Sequence, residues 1–364
     1  MLNFLTLKPE SFGLDISDLS LKIIKLKKRG KFFDLASFGE EKIKPGIIKG
    51  GEIKNEKALV KIIREAITKV KGKKLRTKYV VASLPEEKAF LEVIQMPRML
   101  EEDLKSAVIY EAENYIPLPI EEVYLDSQIV PPVYNHLDHL DVLIAALPKK
   151  TVDPYLSSLK KANLKPISLE IESLAMARAL IKNETTTSPL LLIDLGETRT
   201  GFVVFSGNSL RFTSSIPVSS QSFTEIISKT LKINLAEAEK LKIEYGLQPG
   251  VKKGKEIFEA LIPAFSDLIE QIKRCLGYYQ THASHEHLPP NSKGVAKIFL
   301  CGGGANLKGF PEFLSSALKI PVELGNPWIN ILPEFQKEVP ELPLEKSLGF
   351  TTAIGLAFRD FSEK

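Results

Sequence analysis

Two short stretches of this 364-residue chain end an apolar run with an aspartate and then turn tightly: GLDISDLSLKII around Asp15 and LIDLGETRTGFVV around Asp194. An aspartate closing a buried strand, followed by a hairpin of small residues, can hold a hydrated Mg²⁺ while backbone N–H groups cradle phosphate. A single such turn is an ordinary turn initiator. Its recurrence about 180 residues later is an internal duplication, with a period too long for a solenoid and suited to a two-lobed protein. A third piece is Cys301-Gly302-Gly303-Gly304-Ala305. It follows an apolar strand, and its glycines allow close backbone approach to a flat ligand. A fourth is Glu239 and Lys242, three apart on one helical face, where both side chains can reach one ligand or simply form a solvent-facing ion pair.

The elements that must carry these residues alternate between strand and helix, which predicts α/β architecture. Strands are expected over 12–17, 19–28, 79–84, 89–96, 123–130, 142–147, 190–195, 201–205 and 297–300. Helices are expected over 55–70, 100–115, 152–164, 173–182, 221–232, 236–245, 310–318 and 344–361. A longer helix over 256–279 is expected to begin or bend at Pro263. The polar stretch 183–189 reads as the linker between halves.

The apolar content of 44% and net charge of +4 exclude a disordered chain. No run of about 18 apolar residues predicts a membrane span, and the start has no basic region of a secretory signal. Two cysteines, Cys275 and Cys301, are too few for a disulfide framework and agree with a reducing compartment, Cys301 reading as a buried small hydrophobe. Residues 1–80 carry 20 Lys and Arg against 9 Asp and Glu, and residues 81–145 carry 3 against 13. These are solvated faces, or a basic lobe near anionic lipid head groups. Aromatic residues are not interleaved with the basic ones, which argues against nucleic acid. His282, His285 and His287 have no completing ligand set and read as a solvated loop rather than a metal site. His136 and His139 read as a polar connection between strands. No G-x-S-x-G nucleophile motif occurs.

The order of two phosphate hairpins, an E-x-x-K helix and a GGG loop resembles that of the actin-like ATPases. Within them the chain is similar to the PilM family of type IV pilus assembly, from Phe12 to Arg359. The most discriminating stretch is the acidic one, with EAxxYIPxPxEEVxLD over Glu111 to Asp126; LIAALPKKTVDPYLSSLKKANLKPISLEIESLAMARAL and the closing TAIGLAFR agree.

That resemblance implies a two-lobed fold of duplicated ribonuclease-H-like subdomains with an inserted small α/β subdomain. The first core would be 1–84, 142–185 and 344–364, and the insertion 85–141. The second core would be 186–234 and 295–343, with a helical subdomain over 235–294. It implies ATP and Mg²⁺ as ligands, with Asp15 and Asp194 on the metal. Ser17, Gly196, Thr198 and Thr200 would lie in the phosphate loops, Gly302, Gly303 and Gly304 against adenosine and phosphate, and Glu239 and Lys242 at the ribose and base edge. Glu172, in IESLAMA, would position the attacking water as a base.

As a partner the resemblance implies the N-terminal tail of a PilN-like membrane protein, held near Val108, Tyr110, Glu111 and Tyr115. Other platform and assembly-ATPase components, and self-association, come with it. The chain would be cytoplasmic and peripheral at the inner membrane through its partner, since FRDFSEK adds no amphipathic membrane helix. Relatives carry Gly and then Ser or Thr where this chain has Ser17, Asp18 and Leu19, and a small residue where it has Glu197. A Cβ at a turn needing positive φ and two added carboxylates predict weakened nucleotide binding and negligible hydrolysis. The competing readings are an active ATPase, an FtsA-like filament former and a GspL-like secretion component.

Overall fold

The computed structural model describes residues 9–134, 138–248, 250, 252–289, 292 and 294–362. The first aspartate hairpin forms from β1 (Phe12–Ile16) and β2 (Ser20–Arg29), antiparallel, with Asp15 opposite Lys22. β3 (Phe32–Lys42) continues the meander, and β4 (Ile48–Lys49) and β5 (Glu52–Ile53) flank the Gly50-Gly51 turn. Helix α1 (Glu56–Thr68) starts where the Asn55 side chain accepts the Ala58 N–H, and it buries Leu59, Val60, Ile63 and Ala66. After β6 (Lys71–Gly72), β7 (Tyr79–Leu84) lies parallel to β1.

A 3₁₀ turn, Glu86–Lys88, then leads out of this lobe into a separate three-stranded sheet. Its elements are β8 (Phe90–Pro97), α2 (Glu101–Ala112), β9 (Val123–Val130) and β10 (His139–Pro148), in the order β8-β10-β9. It has a core of its own, including Ile94, Leu104, Val108, Ile116, Val142 and Ile144. The chain returns through α3 (Lys149–Lys161), β11 (Lys165–Ile171) and α4 (Glu172–Leu180). β11 completes a six-stranded sheet of order β11-β7-β1-β2-β3-β6.

The second lobe repeats the plan with β12 (Thr186–Leu195), β13 (Thr200–Gly207) and β14 (Ser209–Ile216). Helices α5 (Ser220–Leu231), α6 (Leu235–Tyr245) and α7 (Lys252–His282) follow, α5 opened by a reciprocal Ser219–Ser222 capping box. Then come β15 (Lys297–Cys301), α8 (Phe310–Leu318) and β16 (Val322–Leu324), giving the order β14-β13-β12-β15-β16. Finally α9 (Leu344–Ser347), a 3₁₀ turn over Leu348–Phe350, and α10 (Thr351–Ser362) bring the chain back onto β1 and α4.

Several expectations change. The stretch 183–189 is no free linker, because Thr186 already pairs with Gly207 at the start of β12. Pro263 does not begin α7, which starts at Lys252 and runs through it; burial of Leu261, Phe265, Leu268 and Ile272 on its inner face sustains the helix. The expected helix over 344–361 is broken at Leu348–Phe350. Residues 142–148 belong to the inserted sheet, since β10 pairs with β8 and β9 to its end. Trp328, Ile331, Leu332 and Leu342, expected in the second core, pack with Ile24, Leu26 and Phe33 of the first lobe.

Candidate functional site

Between the lobes lies a cleft of about 1310 Å³ whose walls include Asp15, Ser17, Asp194, Gly196, Thr198, Glu239, Lys242, Glu172 and all three glycines of the GGG loop. The duplicated hairpins therefore bring both aspartates to one site. Asp15 is buried, and one of its carboxylate oxygens has no hydrogen-bond partner. Burial raises its pKa, against the pull of Lys22 and a Ser83 hydrogen bond. Asp194 is pushed up to about 6, first by burial, with the Asp15 charge adding and Lys22 opposing. Two hard carboxylates, one with an orphaned oxygen, fit a cation such as Mg²⁺ that keeps much of its water shell. Among the described residues no group of three or more His, Cys, Asp or Glu forms a ready-made metal cage.

The sequence reading missed Lys22. It lines the cleft, sits opposite Asp15 in the hairpin register, and donates to Ser20 Oγ at 2.9 Å. The signal was present: across a four-residue turn over 17–20, position 22 must face position 15.

The first turn differs from expectation. Ser17 has no positive φ, so its Cβ is unstrained, and its hydroxyl bridges to Ser20. The Asp18 carboxylate accepts the N–H groups of Gly50 and Gly51 at 2.8 and 3.0 Å, which fixes and compensates its charge. Glu197 is exposed at the tip of the second turn. That turn is closed by the Gly196 N–H to the Arg199 carbonyl at 2.9 Å and tied to α5 by the Ser220 N–H to the Gly196 carbonyl. Both added carboxylates line the cleft, Asp18 with two amide partners and Glu197 exposed. Thr200 is a correction: fully buried, it donates to the Val218 carbonyl at 2.7 Å and does not line the cleft. Arg199, beside it, forms an ion pair with Glu87 across the lobes.

Glu172 opens α4. Its carboxylate accepts the Glu86 N–H at 3.3 Å, while the Glu86 carboxylate accepts the Ser173 N–H at 3.2 Å. Burial, then Asp15, Asp194 and Glu86, hold its carboxyl well above the carboxylate range. A carboxyl raised in this way moves towards the pH range in which a general base works.

Lys242 is not the solvent-facing partner of a surface pair. Its ammonium is buried and donates to the Ser220 carbonyl, Ser220 Oγ and Thr224 Oγ1 at 2.8–2.9 Å, with Glu239 at 2.8 Å. Its three donors are committed, so Lys242 holds α6 to α5; one Glu239 oxygen joins the same network by accepting the Thr224 hydroxyl, while the rest of that carboxylate is exposed on the cleft wall. In the GGG loop the glycines divide their work. A Cβ on Gly302, whose φ is +82°, would lie 2.2 Å from Asp194 Oδ1, and one on Gly304 would lie 2.6 Å from Leu195 Cγ. Only Gly303 faces open space.

Of the expected partner residues, Val108 is a correction: it is buried in the inserted subdomain's own core. Tyr110 and Tyr115 are exposed and Glu111 half-buried. His287 corrects the solvated-loop reading, being buried with its ring bonded to Ser206 Oγ at 2.8 Å; His282 stacks on Tyr278. Cys301 is buried, 3.2 Å from Met176 Sδ. His139 stands at the start of β10, and His136 lies outside the described residues.

The sequence profile of the type IV pilus assembly protein PilM matches residues 13–361. This chain belongs to the PilM family. A solved PilM–PilN type IV pilus biogenesis complex is similar to it at TM-score 0.79 and 26% identity, over 98% of this chain and 100% of that one. MreB5 of Spiroplasma citri bound to ADP is similar in fold, at TM-score 0.55 and 13% identity over 96% of each chain. The cell division protein FtsA of Neisseria meningitidis is 24% identical over 46% of this chain and 44% of its own length. FtsA of Streptococcus pneumoniae is 22% identical over 86% and 75%. The chain thus spans less than half the length of the first of these curated relatives. The fold of this PilM-family chain is that of the actin-like ATPases.

Proposed function

We propose that this chain is an actin-like adaptor of a type IV pilus assembly platform, which holds the N-terminal tail of a PilN-like membrane protein on the cytoplasmic side of the inner membrane. The observation that carries this reading is the end-to-end similarity to a solved PilM bound to PilN. The inserted subdomain adds support: Leu100, Ile109, Tyr110, Tyr115 and Tyr124 are large apolar or aromatic side chains left exposed on one small subdomain. An extended peptide suits such a surface, held by apolar pockets and backbone hydrogen bonds. No described helix is long and apolar enough to cross a membrane, so contact with the bilayer would come through the partner.

Mg-ATP is the ligand that the cleft fits. Asp15 and Asp194 would face the metal, Lys22 and Thr198 the phosphates, Gly303 and Glu239 the nucleoside. The bound metal would supply positive charge to a site that otherwise concentrates carboxylates. The test is titration calorimetry with the N-terminal peptide of the cognate PilN-like protein. Saturable binding that weakens at least tenfold in Tyr110→Ala/Tyr115→Ala is expected; no binding by the wild-type chain, with or without Mg-ATP, would remove the reading.

A further inference from the structure

The inserted subdomain belongs to the first lobe by chain connection, and its polar fastenings run to both lobes. Lys88 pairs with Glu52, Tyr124 donates to Asp153 and Glu86 bonds with Glu172 and Ser173 on the first, whereas its most deeply buried ion pair runs to the second. Asp141 on β10 and Arg211 on β14 form an ion pair of 2.7 Å, with 3% and 5% of the two side chains exposed. Around it, Asn208 donates to the Pro131 carbonyl at 3.0 Å, the Tyr134 N–H to the His287 carbonyl at 3.3 Å, and Gln95 to Ser284 Oγ at 3.4 Å. At the opposite end Glu87, on the 3₁₀ turn that leads into β8, pairs with Arg199 in the second phosphate turn. Between these two ends β8 lies against β14, and Leu91 packs on the cluster of Val203, Phe205 and Leu210.

We infer that these two ion pairs make the inserted subdomain follow the second lobe, so that ligand binding in the cleft resets the peptide-binding face. This deepens the adaptor reading and rests on it. A ligand that bridges the Asp15 and Asp194 turns fixes the spacing of the lobes, as hinged domains close around ligands in general. The second phosphate turn carries Arg199, and so pulls directly on Glu87 at the foot of β8. Lobe 2 also carries Arg211, which grips the far end of the inserted sheet. A buried pair does not stretch, because separating the partners strands two charges in low dielectric. The subdomain has its own core and moves as a unit. The change in angle must therefore be taken up where it joins lobe 1, at residues 85–89 and at the β10–α3 junction. There the Lys88–Glu52 and Tyr124–Asp153 contacts are more exposed than the buried pair and cost less to break. Its exposed face then turns relative to lobe 1, and peptide and nucleotide become energetically linked.

The experiment uses the full chain, Mg-ATP and the PilN-like N-terminal peptide. In the wild type, saturating Mg-ATP should change peptide affinity at least fivefold, and bound peptide should change Mg-ATP affinity by the same factor. In Asp141→Leu/Arg211→Met, which removes both charges of the buried pair and leaves Glu87–Arg199 in place, peptide and nucleotide should each still bind, with the mutual effect reduced by at least half. Retention of the full effect in that variant overturns the inference, as does wild-type peptide binding that ignores nucleotide. Absence of any peptide binding by the wild type instead overturns the adaptor reading. Should the double variant fail to fold, hydrogen exchange of the wild type decides. Mg-ATP should alter exchange of β8 and β10 amides as well as those of the cleft turns; a change confined to the cleft turns overturns the coupling.

Discussion

The two aspartate hairpins share a plan and differ in what surrounds the aspartate. In each, the strand bearing it pairs antiparallel with the next strand and parallel with a later one, β7 or β15. Opposite Asp15 stands Lys22; opposite Asp194 stands Gly201. Near Asp15 the parallel neighbour supplies the Ser83 hydroxyl, which accepts the Ile16 N–H at 2.8 Å. After β15 the chain supplies only the bare backbone of Gly302. Both turns are closed by a main-chain bond of 2.9 Å, Ser17 N–H to the Ser20 carbonyl and Gly196 N–H to the Arg199 carbonyl; beyond it the Asp18 side chain anchors the first turn, whereas a main-chain bond to α5 ties down the second. The duplication thus gives a symmetric frame, and divergence makes one side charged and the other close-fitting. A ligand with one cationic and one planar requirement, such as a metal-bound nucleotide, suits that asymmetry.

The sharpest way to break the comparison is to give the second hairpin a side chain. Gly302→Ala places a Cβ against Asp194 Oδ1 and the Leu195 carbonyl at positive φ. A loss on the order of 4 kcal/mol is expected in denaturant unfolding, at the upper end for single substitutions. Gly303→Ala, where a Cβ meets nothing within 4 Å, should stay within about 0.5 kcal/mol of the wild type, while Mg-ATP titration shows weaker binding. Equal stability losses in the two variants would show that the glycines are not divided between packing and ligand space.

A smaller effect tests the charge shared by the two aspartates and Lys22. Burial first, with the Asp15 charge adding, pushes Asp194 up to about 6 from the ordinary 3.8, and Asp15 and Glu172 are shifted in the same direction. Groups with raised folded pKa values bind more protons folded than unfolded. Their contribution is complete below the unfolded value and is lost as pH rises through the folded one. For Asp194 the window is pH 3.8 to about 6, and the shift corresponds to roughly 3 kcal/mol. Without nucleotide, Asp194→Asn should therefore melt higher than the wild type at pH 7.5, with the gap closing towards pH 4. Lys22→Met, which removes the opposing cation, should melt lower at pH 7.5 and converge with the wild type at pH 4. Melting curves that differ equally at both pH values would contradict this assignment of charge.

Much of the frame was legible because local chemistry decided it. Asn55 capped the helix expected after it, the segments 79–84, 123–130 and 310–318 form as read, and both Asp turns fall where apolar runs stop. What escaped were elements decided by tertiary partners. β3, FFDLASFGEEK, has a mixed burial pattern without a clean alternation, and it forms because β2 offers it an edge. Residues 325–343 follow the second core in sequence, yet Trp328 and Ile331 find their cavity in the first. In the site, residue types pointed to the right place but not to each role. Lys242 and Thr200 are committed to internal partners that spacing alone could not reveal. Lys22 was overlooked because a lysine in a basic stretch looks like surface until the hairpin register sets it against Asp15.

Asp18 gives the finest test, because sequence and structure assign it opposite consequences. As an extra carboxylate in a phosphate loop it should repel nucleotide, and its removal should tighten binding. In the fold it accepts two amide hydrogen bonds from the Gly50-Gly51 turn. That turn is also held by Tyr155, whose hydroxyl donates to the Gly51 carbonyl at 3.0 Å. Hydrogen bonds to a charged acceptor are each worth about 1.5–3 kcal/mol, reduced here by the partial exposure of the carboxylate. Asp18→Ala should therefore lower stability by about 2 kcal/mol and leave Mg-ATP affinity unchanged or weaker. Glu197→Ala, at the exposed tip of the other turn, should change stability by no more than about 0.5 kcal/mol. Tighter nucleotide binding in Asp18→Ala would support the repulsion argument and mean that the first turn, like the second, is shaped by its ligand rather than by its anchor.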